Sequence, residues 1–196
     1  MRVFVGIEVS DDVRRQAGDV VGALRRRLDT GVDARWVPIE NLHLTVRFIG
    51  SVADERITAL LGALEQPLTT HPFEIELNGC GRFPPRGAPR VLWIGLTRGL
   101  PTLTELHQEF DRRVLPFGYA PEDRPFSAHL TLARIKDARG AGDRLIAGGR
   151  LIDEALAHLR SHPVVQTVEQ VTVFESRLSP KGPHYSPLRR IRLPTP

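Results

Sequence analysis

The chain of 196 residues has a single cysteine, Cys80. One thiol excludes an internal disulfide and a Cys-based zinc site, and it suits a reducing compartment, so a cytoplasmic location is expected. No apolar run approaches the roughly 20 residues needed to span a bilayer, so no membrane association is expected. Nothing resembles a secretory leader: Met1–Val9 alternates like a strand, contains Glu8 and runs into Asp11 and Asp12. A Gly-x-Ser-x-Gly elbow is missing, which argues against a Ser-His-Asp hydrolase of that type. A Gly-x-x-x-x-Gly-Lys-Ser/Thr loop is missing too, and with it the usual mark of an ATP-dependent reaction. Charge of one sign is not strongly in excess. Lys and Arg total 27 against 23 Asp and Glu, a net +4 that is compatible with an anionic partner such as nucleic acid without demanding one.

What is there is a tetrapeptide that occurs twice, once in each half of the chain. It reads His43-Leu44-Thr45-Val46 and again His129-Leu130-Thr131-Leu132. In a β-strand, alternate side chains share a face. Each copy therefore presents an imidazole and a hydroxyl on one side and anchors itself with two apolar residues on the other. Two such strands paired about a pseudo-two-fold axis would put two imidazoles and two hydroxyls around one cleft.

The rest of the chain supports a near-repeat. Strands are expected at Arg2–Val9, Leu42–Ile49, Pro72–Leu77, Val91–Leu96, Phe126–Ile135 and His184–Leu193, and Val164–Leu178 is expected to contain one, through Val168, Val171 and Val173. Helices are expected from Ser10, a good N-cap, to about Leu28, over Ala53–Leu64, over Pro101–Leu115 and, against the weakening effect of Gly148-Gly149, over Arg144–Leu159. Gly31–Asn41, Gly79–Pro89, Gly118–Pro125, Lys136–Asp143 and Ser179–Pro183 read as connections or turns. The fold expected is α+β: a bilobal, pseudo-two-fold arrangement of two antiparallel β-sheets lining a central cleft, with helices packed outside. Residues 1–196 are expected to form one domain of two similar lobes. Arg25-Arg26-Arg27 falls in the last turn of the first helix. Complementing the helix dipole is the simpler reading of that run, and an RNA contact the other.

Two facing imidazoles are what making or breaking a phosphodiester requires. One takes a proton from the attacking oxygen and the other gives one to the departing oxygen. Thr hydroxyls two residues on can donate to non-bridging phosphate oxygens. Arg134, five residues after His129, is a candidate to pin the phosphate. Phe48 occupies the equivalent place in the first copy, where it would either stack on a base or fill the core. His184 and Tyr185 follow the Ser179–Pro183 turn and could reach the cleft, although a surface or packing role is the simpler reading. His71, His107, His158 and His162 fall at helix ends or on helix surfaces and are expected to be solvated. No Asp or Glu lies within two residues of either tetrapeptide, so no metal site is expected.

At these tetrapeptides the chain resembles the 2H phosphoesterase superfamily. Within it, it is most similar to the bacterial and archaeal RNA 2′,3′-cyclic phosphodiesterases, historically called 2′-5′ RNA ligases. The likeness runs through nearly the whole chain: Arg2-Val3-Phe4-Val5-Gly6-Ile7, Trp36, Glu40-Asn41-Leu42 before the first motif, and Phe48-Ile49-Gly50 after it. It continues with Gly81-Arg82-Phe83-Pro84, Pro89-Arg90-Val91-Leu92-Trp93, Arg124-Pro125-Phe126, Ala133-Arg134, Ser176-Arg177-Leu178 and Gly182-Pro183-His184-Tyr185. Ala128 departs from the Pro usual before the second His, at a structural position. Arg47 stands where many relatives have an apolar residue or Lys, and either adds a phosphate contact at the cleft rim or faces solvent. The resemblance implies hydrolysis of a 2′,3′-cyclic phosphate at an RNA 3′ end, or in a small cyclic nucleotide, to a 2′-phosphomonoester, without metal or nucleotide cofactor. It makes His43 the proton donor and His129 the proton acceptor, with Thr45, Thr131 and Arg134 on the phosphate. Ligation through a 2′-5′ bond in the same site, or binding of RNA without turnover, are the alternatives. A monomer is the simplest assembly.

Overall fold

A computed structural model describes residues 1–28, 33–121, 125–135, 152–154, 156, 162–179 and 182–195. The first helix shows how local chemistry sets the elements. Ser10 Oγ accepts the Val13 N–H at 3.3 Å, and Asp11 and Asp12 sit in the positive first turn. The apolar stripe Val13, Ala17, Val20, Val21, Leu24 and Leu28 is buried, so α1 covers Asp11–Leu28 as expected. Helix α2 is Asp54–Leu64 and α3 is Leu100–Val114. Gly99 opens α3 with φ of 86°, where a Cβ would stand 2.5 Å from the Glu74 carbonyl oxygen, so only glycine fits.

The strands are β1 Arg2–Glu8, β2 Ala34–Trp36, β3 His43–Ser51, β4 Phe73–Phe83, β5 Val91–Arg98, β6 Leu130–Ile135, β7 Val164–Val168, β8 Gln170–Ser179 and β9 Gly182–Arg192. They form one curled antiparallel sheet in the order β7-β4-β5-β6-β3-β1-β8-β9, with β2 also on β6. The α+β class and the antiparallel arrangement with helices outside are those expected. The two sheets are arms of one sheet, because β3 and β6 pair through Leu44 and Leu130. Helix α3 packs on β3 and α2 on α3, whereas α1 packs on β7 of the other arm. Val3, Val5 and Ile7 of β1, Ile75 and Leu77 of β4, and Leu92 and Ile94 of β5 fill the core beneath them.

Several boundaries differ from the sequence expectation. Val164–Leu178 is two strands that part at Glu169, β7 going to the outer edge of β4 and β8 to β1. β4 continues to Phe83, into the expected loop, because Cys80–Phe83 pair with Ile94–Val91. β2 lies in what was expected to be plain connection, taking the edge of β6 that β3 leaves. The strand expected from Phe126 begins at Leu130. Of the helix expected at 144–159 only Ile152–Glu154 and Leu156 are described, and they are helical. The Lys136–Asp143 turn, His158 and the centre of the Ser179–Pro183 turn lie outside the described residues. No helix among the described residues is long and apolar enough to cross a membrane.

Candidate active site

The two motif strands carry the same irregularity. Gly6 faces Thr45 but its neighbour Val5 faces Arg47, so Val46 is passed over. Trp93 faces Thr131 but Leu92 faces Ala133, so Leu132 is passed over. Each is a β-bulge, one extra residue that reverses the alternation beyond it. Two successive residues then point inward in each arm, Val46 with Arg47 and Leu132 with Ala133, all at most 3% exposed. Phe48 and Arg134 return to the face of the His and Thr. In an unbroken strand, a residue five places after the His would point the other way. The bulge is what puts Arg134 beside His129 and Thr131.

Both imidazoles are oriented identically. His43 Nδ1 lies 2.8 Å from the Asn41 carbonyl oxygen and His129 Nδ1 lies 2.7 Å from that of Ser127, in each case two residues back. A carbonyl only accepts, so each Nδ1 carries hydrogen and each Nε2 is left to exchange a proton. Asn41 is itself tied down, its Nδ2 donating to the Pro183 oxygen at 3.0 Å. The His43 ring meets Phe4 at 4.8 Å and the edge of Tyr185 at 5.0 Å, and the His129 ring meets Phe83 edge-on at 5.0 Å. Burial among these rings pushes the pKa of both imidazoles below the usual value. The Asn41 and Ser127 carbonyls oppose that shift; the Arg134 charge adds to it in both, and the His129 charge adds to it in His43. Arg134 thus acts on both rings at once, and His129 on His43.

A cleft of about 580 Å³ opens here, lined by His43, Thr45, Phe48, Thr131, Arg134 and Tyr185 among others. His129 stands beside it. Arg134 has no carboxylate partner among the described residues, which leaves its guanidinium available to an anion. Burial raises the Tyr185 hydroxyl pKa, against the opposing charges of Arg134 and Arg2, which keeps the hydroxyl protonated. Among the described residues no three His, Cys, Asp or Glu side chains gather in a way that could hold a metal ion.

Other expectations need correction. Phe48 is not core: it is 40% exposed at the cleft, with the Arg2 guanidinium 5.5 Å above its ring. Arg47 reaches neither the rim nor solvent, because the bulge turns it inward. Its Nε lies 2.7 Å from Asp111 Oδ1 and its Nη2 donates to the Ala120 oxygen at 2.5 Å. His107, expected on a solvated surface, is buried in the same cluster. Its Nδ1 donates to the Val46 oxygen at 2.7 Å, its Nε2 lies 3.2 Å from Asp111, and its ring stacks on Phe126 at 4.3 Å. These residues hold the back of β3 rather than a substrate. Arg47→Ala should therefore cost about 3 kcal/mol of stability in urea denaturation, because it strips a buried carboxylate of its main partner. A loss under about 1 kcal/mol would mean the pair behaves like an exposed one. His71 and His162 are exposed as expected, and so is His184, whereas its neighbour Tyr185 lines the cleft. Asn41, Phe4, Phe83 and Trp36 were not singled out as site residues. The readable signal for Asn41 was its place two residues before a motif His, matched by Ser127.

Known proteins carry the same architecture. The LigT-like phosphoesterase family model matches twice, over residues 9–93 and 94–185, one tetrapeptide in each match. An Aeropyrum pernix protein named RNA 2′,3′-cyclic phosphodiesterase is 36% identical over 88% of this chain and 96% of its own. A protein of the same name from Archaeoglobus fulgidus is 32% identical over 96% of this chain and 98% of its own. The crystal structure of TT0787 from Thermus thermophilus superposes with a TM-score of 0.74 and 27% identity, covering 98% of both chains. With the doubled motif, the paired bulges and a family match that spans both arms, the chain belongs to the LigT-like phosphoesterase family.

Proposed function

We propose that this protein is an RNA 2′,3′-cyclic phosphodiesterase working through His43 and His129. The observation that carries the reading is the matched pair of imidazoles, each with Nδ1–H tied to a carbonyl, at a cleft whose Arg134 guanidinium has no carboxylate partner among the described residues. The names of the relatives support the substrate. In the proposed reaction Thr45, Thr131 and Arg134 hold the non-bridging oxygens of the cyclic phosphate. His129 Nε2 takes a proton from water as its oxygen bonds to phosphorus. The bond from phosphorus to the 3′ oxygen breaks, and that oxygen takes a proton from His43 Nε2. The product is a 2′-phosphomonoester with a free 3′ hydroxyl, and exchange with solvent resets both rings. Both imidazoles come from one chain, so the proposed site needs no histidine from a second copy.

Phosphorus NMR of an oligoribonucleotide with a 2′,3′-cyclic end tests this. The expected result is conversion of the cyclic resonance to that of a 2′-phosphomonoester. A 3′-phosphomonoester would reverse the regiochemistry, and an unchanged cyclic resonance would sink the reading. A 2′-5′-joined product when a 5′-hydroxyl oligonucleotide is added would show that the same cleft also ligates.

A further inference from the structure

β8 and β9 run past the strand that carries them. β1 pairs with β8 only as far as Glu175, whereas β8 and β9 go on pairing to Ser179 and Gly182. The end of the hairpin is therefore a two-stranded ribbon, and such a ribbon has little stability of its own. Its residues Ser176, Leu178, Pro183 and Tyr185 line the cleft. Among the described residues, one side-chain hydrogen bond reaches it from outside the hairpin: Asn41 Nδ2 donates to the Pro183 oxygen at 3.0 Å.

Asn41 has a second connection, because its carbonyl oxygen accepts from His43 Nδ1 at 2.8 Å. The 3₁₀ turn Ile39–Asn41 already bends the chain there, with the Leu42 N–H on the Ile39 oxygen at 3.2 Å. That local turn does not register the Asn41 peptide against the hairpin; the side chain does. The hairpin also touches the His43 ring directly, through the edge of Tyr185 at 5.0 Å. His129 is held differently. Its carbonyl partner belongs to the exposed Ser127, whose side chain makes no hydrogen bond among the described residues, and its ring meets Phe83 of β4. The Leu44–Leu130 bridge sets how far apart the motif strands stand, but leaves each ring free to turn about its own side-chain bonds. We propose that Asn41 is a positioning residue for His43: it joins the β8–β9 hairpin to the carbonyl that holds that ring, so the ring is aligned only while the hairpin is seated over the cleft. His129 lies outside this control. The inference rests on the reading of His43 as the proton donor.

Asn41→Ala removes the side-chain donor, and Asn41→Asp keeps its size but sets an acceptor against the Pro183 oxygen. On uridine 2′,3′-cyclic phosphate both variants should lose about tenfold in kcat, the worth of one ordinary hydrogen bond, with KM within about twofold of wild type. On bis(para-nitrophenyl) phosphate, whose leaving group needs no proton, kcat should stay within about twofold. A merely structural role would slow both substrates alike. Equal losses on both, a loss confined to KM, or wild-type activity in Asn41→Asp overturns the inference. Long-range proton–nitrogen NMR of the free protein, at a pH where both rings are neutral, reads the link without turnover. Wild type should show both histidines as the Nδ1–H tautomer. In Asn41→Ala the His43 ring should gain the Nε2–H form and the His129 ring should not. An unchanged His43 ring, or an equal change in both rings, overturns the inference there too. An Asn41-dependent His43 tautomer in a protein that hydrolyses neither substrate would keep the link and remove the hydrolase.

Discussion

His129→Ala is expected to lower kcat on a cyclic-phosphate RNA about a thousandfold, and His43→Ala comparably, with folding intact by circular dichroism. The two losses should have different chemistry. If His43 protonates the departing 3′ oxygen, a diester whose leaving group needs no proton, such as an aryl phosphodiester, should bypass its absence. That substrate should regain most of the rate in His43→Ala and little in His129→Ala, where water activation is still missing. The opposite pattern would exchange the two roles. The pH profile carries a further sign. The active form holds one proton between two imidazoles, and burial, then the Arg134 charge, lowers the pKa of both. The kcat/KM maximum of the free enzyme should therefore lie on the acid side of 6.5, the ordinary imidazole value. A bound phosphate anion opposes that shift, so the kcat profile should sit at higher pH. A kcat/KM maximum well above 6.5 would contradict the geometry.

Arg134→Ala is expected to reduce kcat/KM by roughly 100- to 1000-fold, the usual loss on removing a fixed donor from a developing phosphoryl charge. It should also move the pH optimum upward, because the guanidinium depresses both imidazoles. Arg134→Lys keeps the charge without the planar fork, so its optimum should stay near that of wild type while its rate stays low. A rate loss in Arg134→Ala with an unmoved optimum would mean that the side chain touches substrate but does not set the histidine pKa values. An unaffected rate would remove it from the phosphate site.

The sequence was most legible where period and repetition carried the information. The tetrapeptides showed their shared face through simple alternation, and Ser10, Asp11 and Asp12 marked the start of α1. Two extra residues defeated the same alternation. Val46 and Leu132 carry no mark of a bulge, so the parity that sends Arg47 inward and Phe48 outward could not be counted from the motif. His107 was misread for a related reason: its partners are the oxygen of bulged Val46 and Asp111, and its environment exists only once α3 lies on β3. The break between β7 and β8 escaped notice because Val164–Leu178 is rich in β-formers throughout, while the destinations of its two parts are set by distant pairing.

The bridge between Leu44 and Leu130 sits immediately after each motif histidine. The spacing of the two rings is therefore fixed within a pair of peptide units, independent of how the outer strands lie. Drift along β7 or β9 can reshape what the molecule accepts at its margins while the reacting centre keeps its dimensions. A scaffold so arranged can change its clientele over evolution without rebuilding its chemistry.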